Sequence, residues 1–359
     1  MADSKQAPLD SAAAAKAAFA SVQGKPFPDD IFTAPELRWA VIGCGIIANQ
    51  MAQSLALAGR KLAGVANRTL SKAQAFAEQY GIEKVYDTVE DLYADPNIDA
   101  VYITTPHNTH ITYLRAALAA GKHVLCEKAI TLNSAELDEA RAIADEHNVV
   151  LMDATTVLHM PLYHELRRRM DAGEFGRMNL AQLNFGSYKE YGDLTNRFYN
   201  RNLAGGAMLD IGVYALSVMR LFMASQPAEV VSLVNTCETG VDVAGGIVCR
   251  NAERQLGVVS LTLHSKQPKR SVISFDKCYI EVNEYPRADH ATIVWTADGH
   301  REEVHAGTEA YALCYEMADL EKAVAGDDSK RELLDYASDV MELMTKLRAD
   351  WGVVYPEEE

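Results

Sequence analysis

The sequence predicts a doubly wound parallel α/β sheet, followed by an α+β domain with a large, mainly antiparallel open sheet. Three observations carry this prediction. Short apolar runs alternate with helical patterns over residues 37–157, as strand–helix–strand units require. Later segments alternate apolar and polar residues, which is typical of antiparallel strands with one buried face. The length of 359 residues exceeds what one hydrophobic core usually supports.

An N-terminal arm is predicted over residues 1–36. Its alanine-rich part predicts a short helix over 11–20, which two following prolines end. The acidic Asp3 and Asp10 and the interrupting Lys16 argue against a secretory signal. The arm is expected to be either disordered or docked on the remaining chain.

The first domain is predicted over residues 37–157. Its candidate strands are 39–42, 62–66, 84–86, 100–103, 123–126 and 149–152. Helical patterns fill the gaps between them; Ser71 and Gln74 have the spacing of a capping box, and Gly81 ends that helix. Parallel strands joined by helices bind ligands at their carboxyl ends, so the site is expected there.

The second domain is predicted over residues 158–359 and begins with a linking helix over 159–172. Its candidate strands are 180–185, 230–236, 246–250, 255–264, 270–275, 279–282 and 291–295, and helices over 311–324 and 331–349 follow. With helices on one side only, the other sheet face is free. That face predicts a homodimer or homotetramer.

The bulk properties exclude several function classes. A net charge of −16 would repel nucleic-acid backbones. No segment is expected to be long and apolar enough to span a bilayer, and we expect a cytoplasmic protein without membrane partners. The six cysteines lie far apart without zinc-ligand spacing, so we expect reduced thiols and no metal.

A Gly-x-Gly-x-x-Ala turn follows the first strand and opens a helix. Gly43 permits the tight turn, Gly45 lets backbone N–H groups approach phosphates, and Ala48 allows close helix–strand packing. The helix N-terminus adds partial positive charge. We predict Gly43, Gly45, Ile46 and Ile47 as dinucleotide-binding residues, the alternative being an ordinary strand-to-helix turn.

The end of the second strand bears on cofactor choice. Selectivity for NAD usually requires an acid about 20 residues after the glycine turn. Asn67 replaces that acid, and Arg68, Ser71 and Lys72 can contact a 2′-phosphate. NADP is therefore favoured, and NAD remains possible.

Four further segments, together with the glycine turn, resemble the Gfo/Idh/MocA family of nicotinamide-dependent oxidoreductases. They are residues 104–110, 117–128, 205–214 and 347–357, and their order and spacing agree with one family. The resemblance extends from residue 37 to the C-terminus. It implies a Rossmann first domain and, through Tyr214, the family's tyrosine-bearing branch.

The resemblance implies that Lys128 is catalytic, although a solvated lysine that ends a strand is the alternative. Desolvation and an oxidised nicotinamide would both disfavour its cation, which predicts a lowered pKa. Ala129 follows where the family commonly has proline, which leaves the loop geometry open. Asp210 and Tyr214 are four apart on one predicted helix and therefore share a face.

Tyr214 is the acid/base candidate, and Asp210 would hold a substrate hydroxyl or orient Lys128. Alternatively, Asp210 caps the helix and Tyr214 packs beneath the sheet. The remaining candidates are Thr105, Pro106, His107, His110, Glu127 and Lys128 for the cofactor, and Lys128, Arg197, Asp210 and Tyr214 for the substrate. Local hydrogen bonding of the histidines and surface solvation of Arg197 are the alternatives for those residues.

The predicted function is hydride transfer between NADP, or NAD, and a carbinol or ketone carbon of a sugar, polyol or dihydrodiol. One alternative is an aldose–aldose oxidoreductase that keeps its cofactor tightly bound. The other is a catalytically inactive dinucleotide-sensing regulator of the same fold.

Overall fold

The computed structural model describes residues 10–359, with side chains from residue 15 onward. Residues 1–9 of the predicted arm lie outside the described part. The predicted short helix is present as α1, Asp10–Val22. The described part of the arm is docked: Val22 and Ile31 are buried, and the Phe27 ring packs edge-on against Tyr311 with their centroids 4.9 Å apart.

Six parallel strands form the first sheet, which confirms the doubly wound fold. They are β1 Trp39–Ile42, β2 Gly64–Ala66, β3 Lys84–Tyr86, β4 Ala100–Ile103, β5 His123–Cys126 and β6 Leu151–Asp153. Their order is β3-β2-β1-β4-β5-β6. Successive strands are therefore added on one side of β1 up to β3 and on its other side from β4 onward. A ligand crevice is expected outside the strand ends at this point.

Helices cover both faces of this sheet because its strands are apolar on both sides. They are α2 Ile46–Leu57, α3 Leu70–Tyr80, α4 Val89–Ala94, α5 His110–Ala119 and α6 Ser134–Glu146. The capping box predicted at Ser71 is wrong. The helix α3 already begins at Leu70, and no side chain caps it, whereas Gly81 ends it in the left-handed conformation as predicted.

The second sheet has eight strands in the order β14-β13-β12-β11-β7-β10-β9-β8. They are β7 Met178–Gly186, β8 Glu229–Thr236, β9 Asp242–Arg250, β10 Leu256–Thr262, β11 Gln267–Phe275, β12 Cys278–Asn283, β13 His290–Trp295 and β14 Arg301–His305. All neighbours are antiparallel except β7 and β10, which confirms a mainly antiparallel open sheet.

The remaining helices are α7 Pro161–Asp171, α8 Val213–Phe222, α9 Ala312–Val324, α10 Asp328–Arg331 and α11 Leu333–Trp351. The helix α9 returns to the first sheet, where Leu313, Met317 and Leu320 join its core. Its Glu321 accepts hydrogen bonds from Trp39 Nε1 at 3.0 Å and Arg60 Nη2 at 2.6 Å. The domain boundaries 37–157 and 158–359 stay a prediction.

One helical stretch among residues 10–359 bears on membrane crossing. By length and composition alone, Arg201–Phe222 is long and apolar enough to cross a membrane, which corrects the expectation that no such segment exists. However, 83% of its apolar window is buried inside the protein, as in the core helix of a globular domain.

Candidate active site

The glycine turn lies between β1 and α2, at the crevice. Gly43 has φ +103°, and a Cβ there would lie 2.6 Å from Thr104 Oγ1. A Cβ on Gly45 would meet nothing within 4 Å, so the space over the start of α2 is open. Ile46 is 65% exposed beside it, and Ile47 is half-buried. This open N-terminus, approachable by backbone N–H groups, fits a pyrophosphate.

The predicted ribose loop follows β2. Asn67 Nδ2 donates to the Thr69 carbonyl at 3.0 Å, which shapes the loop. Arg68, Ser71 and Lys72 are exposed. The Lys72 ammonium is close enough to the glycine turn to oppose the effect of burial, which raises the pKa of the Cys44 thiol to about 11. The loop therefore offers cations and no carboxylate to an adenosine ribose.

The loop after β4 brings the predicted Thr105–His110 group to the crevice. Pro106 is exposed, whereas Thr105 is half-buried and its hydroxyl accepts from Thr109 Oγ1 at 2.9 Å. His107 is buried, with Nδ1 3.5 Å from the Ala204 carbonyl oxygen. Burial and the neighbouring His110 and Lys128 lower the pKa of His107 to about 3, so this imidazole is neutral.

His110 differs from its prediction as a cofactor-binding residue. It is fully buried, with Nδ1 3.0 Å from the Ala129 carbonyl oxygen and Nε2 2.8 Å from that of Thr105. Because both ring nitrogens face backbone oxygens, the imidazole braces the two loops and offers no free polar atom to a ligand. The peptide bond between Lys128 and Ala129 is cis.

Glu127 also differs from its predicted role. The carboxylate is buried and accepts hydrogen bonds from Tyr102 Oη and, at 3.3 Å, from Lys128 N. Burial raises the pKa of Glu127, and the Tyr102 hydrogen bond and the Lys128 charge oppose that rise. The group is turned toward the protein interior, where it supports the lysine loop.

Lys128 lies at the centre of the site. Its Nζ donates to the Asp210 carbonyl oxygen at 2.7 Å and lies 3.6 Å from Asp210 Oδ1. The same Nζ lies 4.7 Å from the centroid of the Tyr214 ring. The structure thus brings Lys128 together with Asp210 and Tyr214, which lie more than 80 positions later in the sequence.

The protein's own groups reverse the fall in the Lys128 pKa that was expected from burial, and the contribution expected from an oxidised nicotinamide stays a prediction. Burial lowers the Lys128 pKa, but the neighbouring Tyr214 and Asp210 together raise it by a larger amount. The net pKa therefore lies above its ordinary value. Burial raises the pKa of the Tyr214 phenol, and Lys128 opposes this only in part. At neutral pH the site holds an ammonium and an un-ionised phenol.

The helix that carries Asp210 and Tyr214 begins with a π-helical turn, Met208–Gly212, which continues directly into α8. Such turns are frequently found at functional sites. Asp210 and Tyr214 share a face as predicted, because both contact Lys128. Burial raises the pKa of Asp210, but Lys128 and Arg197 more than offset this effect and keep the carboxylate charged.

Two supporting residues were not found from the sequence. Asp242, at the start of β9, accepts a hydrogen bond from Met208 N at 2.6 Å and so holds the beginning of the π-helical turn. Tyr355 is buried near the C-terminus and donates from Oη to the Gly205 carbonyl at 2.6 Å. Tyr355 lies in the segment 347–357 that carries the family resemblance, but no role was predicted for it, and both residues act over long sequence separations.

No group of three or more histidine, cysteine or carboxylate side chains that could hold a metal ion occurs among residues 10–359. The six cysteines are free thiols. The candidate site is therefore a dinucleotide crevice with an amine, a phenol and a carboxylate at its end.

Two family models match the chain. One is described as an oxidoreductase family with an NAD-binding Rossmann fold and matches residues 37–155. The other, a GFO/IDH/MocA C-terminal domain, matches residues 163–281.

The chain is also similar to trans-1,2-dihydrobenzene-1,2-diol dehydrogenases. The Mus musculus protein is 32% identical over 254 residues, which cover 69% of this chain and 75% of that protein. The Sus scrofa protein is 28% identical over 340 residues, which cover 90% of this chain and 99% of that protein.

Solved structures share the fold. KijD10, a 3-ketoreductase from Actinomadura kijaniata in complex with NADP and TDP-benzene, has a TM-score of 0.75 and 24% identity, covering 88% of this chain and 98% of that one. Levoglucosan dehydrogenase in complex with NADH and levoglucosan has a TM-score of 0.76 and 20% identity, with coverages of 87% and 97%.

Proposed function

The chain belongs to the Gfo/Idh/MocA family of oxidoreductases, and from this premise we propose that it moves hydride between NADP and a carbinol or ketone carbon of a sugar, polyol or dihydrodiol. The observation that carries the proposal is the contact of Lys128 Nζ with Asp210 and with the Tyr214 ring. The loop after strand β5 supplies Lys128, and the π-helical turn with the adjoining helix α8 supplies Asp210 and Tyr214.

A bound nicotinamide would supply or accept the hydride. The protein's own residues manage the proton. Both Lys128 and Tyr214 hold their protons at neutral pH, because the pKa of each is raised. We therefore propose that Tyr214 protonates the carbonyl oxygen during reduction, while the Lys128 cation stabilises the charge that develops there.

The pH dependence follows from these directions. Reduction needs both protons, so its rate should stay level through neutral pH and fall only at alkaline pH, as one of the groups loses its proton. Oxidation of the alcohol needs a proton acceptor and should instead increase toward alkaline pH. We therefore expect the rate of reduction to fall and the rate of oxidation to rise as the pH becomes alkaline.

NADP preference rests on the loop after β2. Asn67 brings no negative charge toward a 2′-phosphate, and Arg68 and Lys72 are exposed cations near it. Titration of both cofactors by calorimetry tests this part. A clear preference for NAD would refute it without affecting the assignment of the catalytic residues.

The decisive experiment screens reduced and oxidised cofactors against sugars, inositols and diols by absorbance at the nicotinamide band. On any substrate found, Lys128→Met should lower kcat by a factor of about 10² or more while cofactor affinity stays within a few-fold. Lys61→Met is the matched control, because Lys61 is an exposed lysine paired with Glu83. A Lys128→Met rate near that of the wild type contradicts the proposal.

The docked arm favours a second candidate, an aldose–aldose oxidoreductase that retains its cofactor. The Phe27 ring packs on Tyr311 and also stacks against Phe32, whose ring lies 4.0 Å beneath the Arg60 guanidinium. Arg60 follows the C-terminal end of helix α2, so the arm contacts the first domain at the end of that helix that is farther from the glycine turn. Cofactor that survives gel filtration would support this candidate.

We also propose a homo-oligomer formed through the outer face of the second sheet. Val231 and Leu233 on the edge strand β8 are 76% and 83% exposed, and Val248 beside them on β9 is 47% exposed. Leu233→Lys should shift the mass measured by light scattering toward the monomer, and an unchanged mass contradicts this interface. A cytoplasmic location stays a proposal, consistent with six free thiols.

A further inference from the structure

A short turn of the second domain carries an arginine that was not predicted from the sequence. Arg197, the predicted one, lies at Asp210, with Nη2 3.1 Å from Oδ1. The other is Arg287, which ends the 3₁₀-helical turn Tyr285–Arg287 between β12 and β13. Tyr285 is buried, and its carbonyl oxygen accepts a hydrogen bond from Tyr163 Oη at 2.6 Å. These contacts fix the backbone from which the Arg287 side chain extends.

The turn that carries Arg287 lies beside the acid/base candidate. The Phe185 ring packs against both Tyr285 and Tyr214, with centroid distances of 5.8 and 6.1 Å. The Arg287 charge also acts on the Tyr214 phenol. Burial raises the pKa of that phenol, and Arg287 is one of the cations that oppose the rise. Arg287 therefore lies close to the reacting end of the crevice.

The Arg287 guanidinium also reaches the first domain. Its Nη1 donates a hydrogen bond to Gln50 Oε1 at 3.1 Å. Gln50 lies on α2, about one helical turn after Ile46, where that helix begins at the glycine turn. The guanidinium thus contacts the first turns of α2 and acts on Tyr214. A dinucleotide that extends from the glycine turn to Tyr214 must pass it.

Three carboxyl groups share the surroundings of Arg287, namely those of Glu127, Glu309 and Glu316. Burial raises the pKa of each, and the Arg287 charge is among the groups that oppose the rise. Within residues 10–359, however, the bond to Gln50 is the single hydrogen bond that the guanidinium makes. Most of its five N–H donors are therefore not engaged by protein oxygens.

We infer that Arg287 is a further cofactor-binding residue, whose guanidinium binds the pyrophosphate of the dinucleotide together with the backbone N–H groups of the glycine turn. This inference rests on the proposed function, because it adds a residue of the second domain to the same crevice. Arginine suits this role since its planar donors can bind two phosphate oxygens at once. The pyrophosphate would then be held from both domains.

The experiment measures the affinities of three ligands by isothermal titration calorimetry. NADP and NAD both contain the pyrophosphate, whereas adenosine 2′-monophosphate has the 2′-phosphate of NADP without a pyrophosphate. Arg287→Gln removes a charged donor and should weaken the binding of NADP and of NAD by about tenfold or more. It should leave the affinity for adenosine 2′-monophosphate within about twofold of the wild type.

Arg115→Gln is the matched control, because Arg115 is exposed on α5 and pairs with Glu139 on α6. This variant should bind all three ligands as the wild type does. Thermal unfolding without ligands shows whether each variant is folded. Arg287→Lys keeps the charge but not the planar fork, so the same contrast between ligands is expected for it at about threefold. It serves as the test if Arg287→Gln does not fold.

The inference is overturned if the folded Arg287 variant binds both dinucleotides as tightly as the wild type. It is also overturned if NADP alone is weakened, which would place the residue at the 2′-phosphate, or if adenosine 2′-monophosphate is weakened equally, which would show a structural role. Dinucleotide binding that depends on Arg287, without turnover of any substrate, would support the inference and contradict the proposed activity instead.

Discussion

Asp242→Asn should change how the stability of this protein depends on pH. The Asp242 side chain is 1% exposed, and while Oδ2 accepts from Met208 N, Oδ1 has no hydrogen-bond partner among the described residues. Burial raises the pKa of this carboxyl group to about 6. Asparagine keeps an oxygen for Met208 N and removes the titrating group.

The size of the effect follows from the raised pKa. A change from the ordinary 3.8 to about 6 corresponds to about 3 kcal/mol of differential stability. Because the pKa is higher in the folded state, this stability is fully present below about pH 3.8 and is lost as the pH rises through about 6. About 2 kcal/mol of it should disappear between about pH 4.5 and about pH 8.

The assay is urea unfolding of both proteins at several pH values. Comparison with the wild type cancels the other titrating groups, so the variant should gain about 2 kcal/mol relative to the wild type between about pH 4.5 and about pH 8. Asp145→Asn, at an exposed position on α6, is the control and should show a change below about 0.5 kcal/mol. The reasoning is refuted if the difference in unfolding free energy between Asp242→Asn and the wild type does not change with pH, or changes with the opposite sign.

Three further predictions concern the site. Tyr214→Phe should lower kcat by a factor of about 10² to 10⁴ and remove the alkaline fall in reduction rate that the phenol causes; steady-state kinetics across pH with an unchanged rate would contradict this. Tyr355→Phe leaves the buried Gly205 carbonyl without its partner and should cost about 1 to 3 kcal/mol in the free energy of unfolding, measured in urea; a loss below about 0.5 kcal/mol would count against it. Asn67→Asp should shift the NADP/NAD affinity ratio toward NAD by about tenfold or more in calorimetry, because a carboxylate there repels a 2′-phosphate, and an unchanged ratio would argue against the predicted ribose loop.

The first sheet could be predicted well because its strands, apart from the edge strand β3, are mostly buried and appear in the sequence as short apolar runs that end at a turn. Every predicted strand overlaps an observed one. The glycine turn was equally easy to recognise, since Gly43 has a positive φ and a Cβ there would lie 2.6 Å from Thr104 Oγ1, a position that few other residues could occupy.

Elements without such a signature were missed. Strand β14, Arg301–His305, is mostly polar, with Val304 as its buried residue, and it is defined by pairing with β13. The start of α3 was misplaced because a capping-box spacing at Ser71 looked stronger than the uncapped start that the chain uses. For β14, pairing within the sheet outweighed the local pattern.

The composition of the candidate site was predictable, but its internal contacts were not. Asp242 and Tyr355 support the loop around residues 205–208 from positions that the chain reaches only after folding. His110 and Glu127 were predicted as cofactor-binding residues, yet their polar atoms contact Ala129 and Tyr102. Proximity to a site in sequence does not show which way a polar group points.

The pKa of Lys128 shows why the proton inventory needed the structure. Considered alone, a buried lysine loses its proton more easily, and the sequence supported only that part of the argument. The neighbouring Tyr214 and Asp210, whose Oδ1 lies 3.6 Å from Nζ, together raise the pKa by more than burial lowers it, and the direction of the shift reverses. The ammonium and the phenol then both hold protons at neutral pH. In the proposed mechanism, this site can donate a proton, so that carbonyl reduction can begin without a prior ionisation.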